Sequence, residues 1–178
     1  MFAFAYDRIM HKSIFPKKFK GNILKHFEIL QNEYQGIHNK NILEIGTGSG
    51  FSSKFLSTNN SYTGIDISVW LLKKAVQKFK AQHFTDAEFF VSTANELPFC
   101  DQFFDIVMCD LSLNFLGDLD NFITEIKRVM KAGSIFYCSV PVPEKKDPKV
   151  IIHGNLYSEN ELKTHFEKFN FIFNPRPI

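Results

Sequence analysis

Cysteine is scarce in this chain: Cys100, Cys109 and Cys138 are isolated, odd in number and without a C-x-x-C pair. That pattern argues against a disulfide framework or a zinc ribbon and leaves reduced structural thiols as the expectation. An excess of one charge is missing as well. Lys+Arg number 21 and Asp+Glu 19, so there is no basic field of the kind that tracks a phosphate backbone, and no nucleic-acid partner is expected. No stretch approaches the roughly 20 apolar residues that cross a bilayer. The opening MFAFAYDRIMHKSIF has no charged region ahead of a long apolar one, so membrane insertion is not expected and a cytoplasmic location is. No histidine pair has metal-ligand spacing, and no metal is expected. His11, His26, His38, His83 and His165 read as helix-surface or loop residues.

What is present describes one ordinary globular domain. The 178 residues are 44% hydrophobic and 22% charged, close to the soluble average, and a core of this size is self-sufficient. The 21 phenylalanines read first as core filling. Phe19, Ile23, Phe27 and Leu30, with lysines between them, mark an amphipathic helix starting near Phe15. NILEI then reads as a buried strand, with a helix expected from Ser49 to about Ser57. Further along come strands at Ser61 to Ile65, Glu88 to Val91, Phe104 to Cys109 and Ser134 to Val140. Between them fall helices on Val69, Leu72, Val76 and Phe79, and on Asn121 to Lys131.

This alternation predicts an α/β fold, a three-layer Rossmann-like sandwich around a mostly parallel central sheet. PVPEKKDPK reads as a loop, after which Ser158 and Glu161 form a capping box. Asn170 closes that helix, and FIF at Phe171 to Phe173 is expected as a sixth and last strand. The single domain divides into a helical cap over residues 1–36, a binding core over 37–141, and an acceptor-side loop, helix and strand over 142–178.

Three of only nine glycines fall inside five positions, Gly46, Gly48 and Gly50, directly after the NILEI strand. In an open parallel sheet the first strand-to-helix turn faces the ligand, and glycine lets ligand atoms approach the backbone. A helix behind Ser49 would offer free N–H groups to an anion. Dinucleotide turns follow G-x-G-x-x-G; here the third glycine is one residue early and Phe51 takes the place of the last. That disfavours NAD and favours a nucleoside with a short anionic tail. Asp66, at the tip of the second strand, can accept hydrogen bonds from two ribose hydroxyls. The plain alternative is that Asp66 or Ser68 caps the following helix.

E-I-G-T-G-S-G, G-I-D-I-S, T-A-N-E-L-P-F-C-D-Q-F-F-D-I-V and R-V-M-K-A-G-S, in that order, resemble class I S-adenosylmethionine-dependent methyltransferases. The likeness is to the group containing the ubiquinone and menaquinone C-methyltransferases. It runs from about Asn41 to Val140, with a weaker match at YSENELKTHFEKFNFIF. It implies S-adenosyl-L-methionine as cofactor, its methionine end held by Glu44 and by the backbone of Gly46, Thr47, Gly48 and Gly50. Asp66 would take the ribose and Ile67 the adenine face, with Thr93, Ala94 and Asn95 near the adenine edge, where the family usually has Asp at Thr93. A last hairpin common in these folds is not evident, which makes an exposed sheet edge or a homodimer the expectation.

Methyl transfer from a sulfonium needs alignment above all, yet an acceptor proton can require a base. Candidates are Asp110 at the end of the fourth strand, expected next to the methyl group and so also among the cofactor-binding residues, Tyr6 in AYDRIM, and His153 and Tyr157 in IIHGNLYS. A small-molecule acceptor is preferred. A nicotinamide-dependent oxidoreductase and a non-catalytic module binding the cofactor or a partner are the alternatives.

Overall fold

The computed structural model describes residues 22–142 and 154–176. Its elements run α1 (Ile23–Tyr34), β1 (Asn41–Ile45), a 3-10 turn (Phe51–Lys54), β2 (Ser61–Asp66), α2 (Val69–Ala81), β3 (Ala87–Val91) and β4 (Phe104–Asp110). A second 3-10 turn (Leu113–Phe115), α3 (Leu119–Val129), β5 (Met130–Ser139) and α4 (Glu159–Lys168) follow. The strands form one five-stranded sheet in the order β3-β2-β1-β4-β5, and every neighbouring pair is parallel. This is the α/β class that the strand and helix alternation predicts.

Side chains alternate between the two faces of a strand, and NILEI uses the alternation to feed two cores. Leu43 and Ile45 join Val107 and Cys109 of β4, Phe122, Ile123 and Ile126 of α3, and Leu162 and Phe166 of α4. Ile42 turns the other way, onto Tyr62, Met108, Leu30 and Tyr34 of α1, and Phe79 of α2. Each fully buried Leu or Phe contributes about 1.5–3 kcal/mol, so a strand buried on both faces must be apolar almost throughout. Glu44 is the exception in β1: it is buried on the α1 and α2 side.

The strand order reverses between β1 and β4, because β2 follows β1 outward on one side while β4 lies on the other. The crevice beyond the carboxyl ends of these two strands is where an open sheet places its ligand.

Several local expectations are corrected. The helix expected from Ser49 is only a 3-10 turn, since Gly50 enters it left-handed at φ 76°. Ser53 Oγ there donates to Gly50 O at 2.8 Å, a side-chain competition that disfavours a regular helix. A four-residue turn also carries no useful macrodipole, so anion binding at a helix end is not available at this place. On α2 the buried face is Leu72, Ala75 and Phe79; Val69 and Val76 point outward, 53% and 45% exposed. α3 starts earlier than expected, at Leu119, and ends at Val129. The Lys131 to Ser134 turn survives as an irregularity in β5, with Gly133 at φ 75°, and the ladder resumes from Ile135 opposite Ile106.

Ser158 and Glu161 form the full capping box of α4, and Asn170 is left-handed at φ 64°. The sixth strand is not formed among the described residues. Phe171 to Phe173 alternates inward and outward, with Ile172 98% exposed, but its rings lie on Phe166 and Phe136. The segment packs on the helical layer of the sheet and has no ladder partner there.

Candidate cofactor and active site

The turn after β1 is pinned to β2 before it does anything else. Gly46 N and Thr47 N both donate to Ile65 O, at 2.9 and 3.0 Å, and Gly50 N donates to Thr47 O at 2.9 Å. Gly46, Gly48 and Gly50 all have positive φ, at 73°, 54° and 76°, the region open mainly to glycine. They differ in what surrounds them. A Cβ on Gly46 would sit 2.4 Å from Ser112 Oγ, and one on Gly50 would sit 2.7 Å from Ala75 Cα in α2. A Cβ on Gly48 would meet nothing closer than 3.9 Å, so only this glycine opens onto free space.

Asp66 closes the turn from the tip of β2. Its Oδ2 accepts from Gly48 N at 2.9 Å and its Oδ1 from Ser68 N at 2.8 Å. Ser68 is the N-cap of α2, its side chain accepting from Leu71 N. Each carboxylate oxygen has a second lone pair, which leaves Asp66 able to accept from a sugar while it holds the loop.

Beneath the turn lies Glu44. Its Oε2 accepts from Thr47 Oγ1 at 3.1 Å, from Ser52 Oγ at 2.5 Å and from the Tyr62 hydroxyl; Thr47 Oγ1 and Tyr62 Oη are 2.6 Å apart. Gly64, opposite Glu44 in the register, makes this possible: a Cβ there would lie 3.0 Å from the Tyr62 ring. Burial pushes the Glu44 carboxyl up to about 7, outweighing the three hydrogen bonds that favour the ionised form.

A cavity of about 550 Å³ runs along this crevice, inside the range of roughly 300–1,000 Å³ common for small-molecule sites. Of the residues singled out from the sequence, it gathers Glu44, Gly46, Thr47, Gly48, Asp66, Ile67, Thr93, Ala94, Asn95 and Asp110. Gly50 is not among its walls; it serves the packing of α2. Ile67 and Phe115 both line the cavity while 75% and 64% exposed, two apolar surfaces suited to a flat base. Phe51, in ring contact with Phe27 at 4.4 Å, closes the α1 side. The open cradle at Gly48, the acid at Asp66 and these apolar walls fit an adenosyl amino acid.

Tyr157 is not brought to the cavity. It packs half-buried against the core, its ring 6.5 Å from His165. Tyr6 and His153 lie outside the described residues.

At the far wall, Asp110 ends β4 and reaches two partners that sequence reasoning missed. Its Oδ1 accepts from the Ser139 hydroxyl and lies 3.1 Å from His26 Nε2. His26 is 1% exposed, which overturns its reading as a surface residue. The buried positions of α1 are His26, Leu30 and Tyr34, so the helix presents the face that carries the histidine. A polar residue in register with an apolar stripe four and eight positions on was the available signal. Leu111, next in the chain, is left-handed at φ 52°, a strained setting for a branched residue, held by Ser139 O at 2.9 Å.

Cys100, Cys109 and Cys138 are all free thiols. No helix of the described residues is long and apolar enough to cross a membrane.

A family model described as methyltransferase domain matches residues 43–138, more than half of the chain. The malonyl-[acyl-carrier protein] O-methyltransferase of Buchnera aphidicola is 31% identical over 134 residues, covering 75% of this chain and 48% of its own. The ubiquinone/menaquinone biosynthesis C-methyltransferase of Rickettsia bellii is 32% identical over 108 residues, covering 56% and 44%. The chain thus spans about half the length of these curated relatives. Among solved structures, a SAM dependent methyltransferase from Aquifex aeolicus matches with a TM-score of 0.67 at 20% identity, over 92% of this chain and 86% of that one. The [4+2]-cyclase SpnF matches at 0.71 and 21% identity, over 81% and 55%. Likeness at such identities shows the fold alone, and the name of the second neighbour indicates that the fold also hosts other chemistry. The family match takes in β1 from Leu43 with its glycine turn, the acidic tip of β2, and all but the last residue of β5, and on that footing the chain belongs to the class I S-adenosylmethionine-dependent methyltransferase family.

Proposed function

We propose that the chain transfers a methyl group from S-adenosylmethionine to a small-molecule acceptor by in-line displacement. The observation that carries this is the meeting of Gly48, Asp66 and Asp110 on one cavity at the strand-order switch. The cofactor supplies a methyl group on a cationic sulfur, already activated for displacement. The work left to the chain is binding, alignment and exclusion of water, and alignment of this kind lowers a barrier by roughly 7–11 kcal/mol.

Asp66 would hold the ribose, Ile67 the adenine face, Thr93, Ala94 and Asn95 the adenine edge, and Glu44 with the turn backbone the amino-acid end. Phe27, Phe51 and Leu30 exclude water from the α1 side. The acceptor chemistry of the named relatives, an acyl-carrier-bound malonyl group and a quinone precursor, supports a small organic acceptor. A near-balanced charge supports the same reading over a nucleic-acid acceptor. A homodimer is proposed through the outer edge of β5, which pairs only with β4 among the described residues.

Calorimetric titration with S-adenosylmethionine, followed by radiolabelled methyl transfer into a metabolite extract, tests the proposal. Binding together with one or a few labelled small molecules is the expected result. Absence of binding, with heat on addition of NADH instead, would replace it by the oxidoreductase reading; binding without any transfer would leave a non-catalytic module.

A further inference from the structure

His26 has no part in cofactor binding as proposed, yet it is the most deeply buried charge-capable side chain on α1. Its side chain is 1% exposed and its Nε2 stands 3.1 Å from Asp110 Oδ1, within ion-pair reach. An apolar residue would fill that position without a desolvation cost, so an imidazole there calls for polar partners, and Asp110 is one of them.

Asp110 is engaged unevenly. Ser139 and His26 both address Oδ1, and Oδ2 has no hydrogen bond among the described residues. The side chain is 22% exposed and lines the cavity. Other ionisable groups surround the pair: Tyr34 from α1, Glu44 from β1, Cys109 from β4, and Tyr137 and Cys138 from β5. Burial raises Tyr34, and the hydrogen bond with Cys138 followed by burial raises Cys109, well above their ordinary values, which keeps both neutral. All of these groups are acids. Within the set, His26 is the one side chain able to bear positive charge beside Asp110.

We infer that Asp110 Oδ2 takes a proton from the acceptor during methyl transfer, with His26 and Ser139 positioning its carboxylate. The acceptor is therefore a molecule that reacts at a protonated O–H, N–H or acidic C–H. The X–H bond would break, its electron pair staying on X to bond the methyl carbon as the methyl–sulfur bond breaks with its own pair left on the departing sulfur, and the proton would pass to Asp110 and leave with product release. This inference rests on the methyltransferase reading above.

The test uses the full chain with a metabolite extract as acceptor, measuring the rate of radiolabelled transfer against pH for wild type, Asp110→Asn and His26→Gln. S-adenosylhomocysteine titration and long-range proton–nitrogen spectra of the His26 ring run in parallel. Asp110→Asn is expected to lose about 100-fold or more in rate, the usual yield of a positioned base, with S-adenosylhomocysteine affinity retained. His26→Gln is expected to slow transfer several-fold and move the acid limb of the pH profile. The His26 ring nitrogen signals should change on Asp110→Asn, an effect that loss of packing alone would not produce in a chain that still binds the nucleoside. Wild-type transfer by Asp110→Asn, or ring signals indifferent to it, would overturn the inference alone. No transfer by the wild type would instead remove the methyltransferase reading on which it stands.

Discussion

Glu44 shows most clearly how burial sets a side chain's behaviour. Its carboxyl is raised from 4.5 to about 7 by loss of water, so the folded chain prefers it neutral. The stability this contributes is complete below the unfolded value, near 4.3, and is lost as pH rises through about 7. The size of the loss is on the order of 3–4 kcal/mol by proton linkage. Glu44→Gln keeps an oxygen for Ser52, Thr47 and Tyr62 and removes the ionisation. Urea midpoints at about pH 5 and about pH 8 should show the variant gaining on the wild type at the higher pH. Parallel curves for the two proteins would mean that Glu44 is not held neutral. The same group predicts tighter S-adenosylhomocysteine binding as pH rises through this range, if the ionised carboxylate meets the ligand's ammonium.

The glycine turn and the helix clamp belong to the scale of the element. Gly50→Ala puts a Cβ 2.7 Å from Ala75 Cα at a φ of 76° and should cost at least about 2 kcal/mol, by overpacking and strain together. Gly48→Ala meets open space; only its left-handed backbone is penalised, by about 1 kcal/mol. The first variant should lose stability in denaturant titrations, and the second should fold but bind S-adenosylmethionine more weakly. On α3, Arg128 donates to Glu125 at 3.0 and 2.9 Å, to Asp101 at 2.7 Å, and to Phe99 O and Leu97 O at 2.8 Å. It fastens the chain that leaves the adenine edge. Arg128→Ala should cost about 2–3 kcal/mol, since it strands partly buried acceptors, and should lower the melting temperature by several degrees.

These elements also mark the limits of what the sequence made legible. The buried NILEI strand, the glycines behind it, Asp66 and the Ser158 capping box are local signals, and each is found where its residues place it. The 3-10 turn after Gly50 escaped because the Ser52 hydroxyl is drawn onto Glu44, a tertiary contact, while Ser53 Oγ turns back locally onto Gly50 O, and both compete with helix formation. His26 escaped because helical periodicity fixes the width of a face more firmly than its rotation, and the face turned by about one position. Tyr157 was placed near the acceptor on loop proximity alone, whereas its ring found the core.

At the scale of the whole molecule, strand pairing is the least local of these interactions. FIF has the two-residue rhythm of a strand, but rhythm does not supply a partner, and its phenylalanines settle on Phe166 and Phe136. The outer edge of β5 is the surface left for the proposed homodimer; a light-scattering mass equal to two chains would support it, and a mass of one chain would remove it. Alternation and handedness, by contrast, do give a parallel sheet, and its order β3-β2-β1-β4-β5 brings the glycine turn, Asp66 and Asp110 to one crevice. A crystal structure with S-adenosylhomocysteine tests that placement most directly. The account predicts the ligand's amino-acid end against Gly48, with its ribose on Asp66 and its sulfur toward Asp110. The ligand lodged elsewhere, or the crevice closed by side chains, would contradict it.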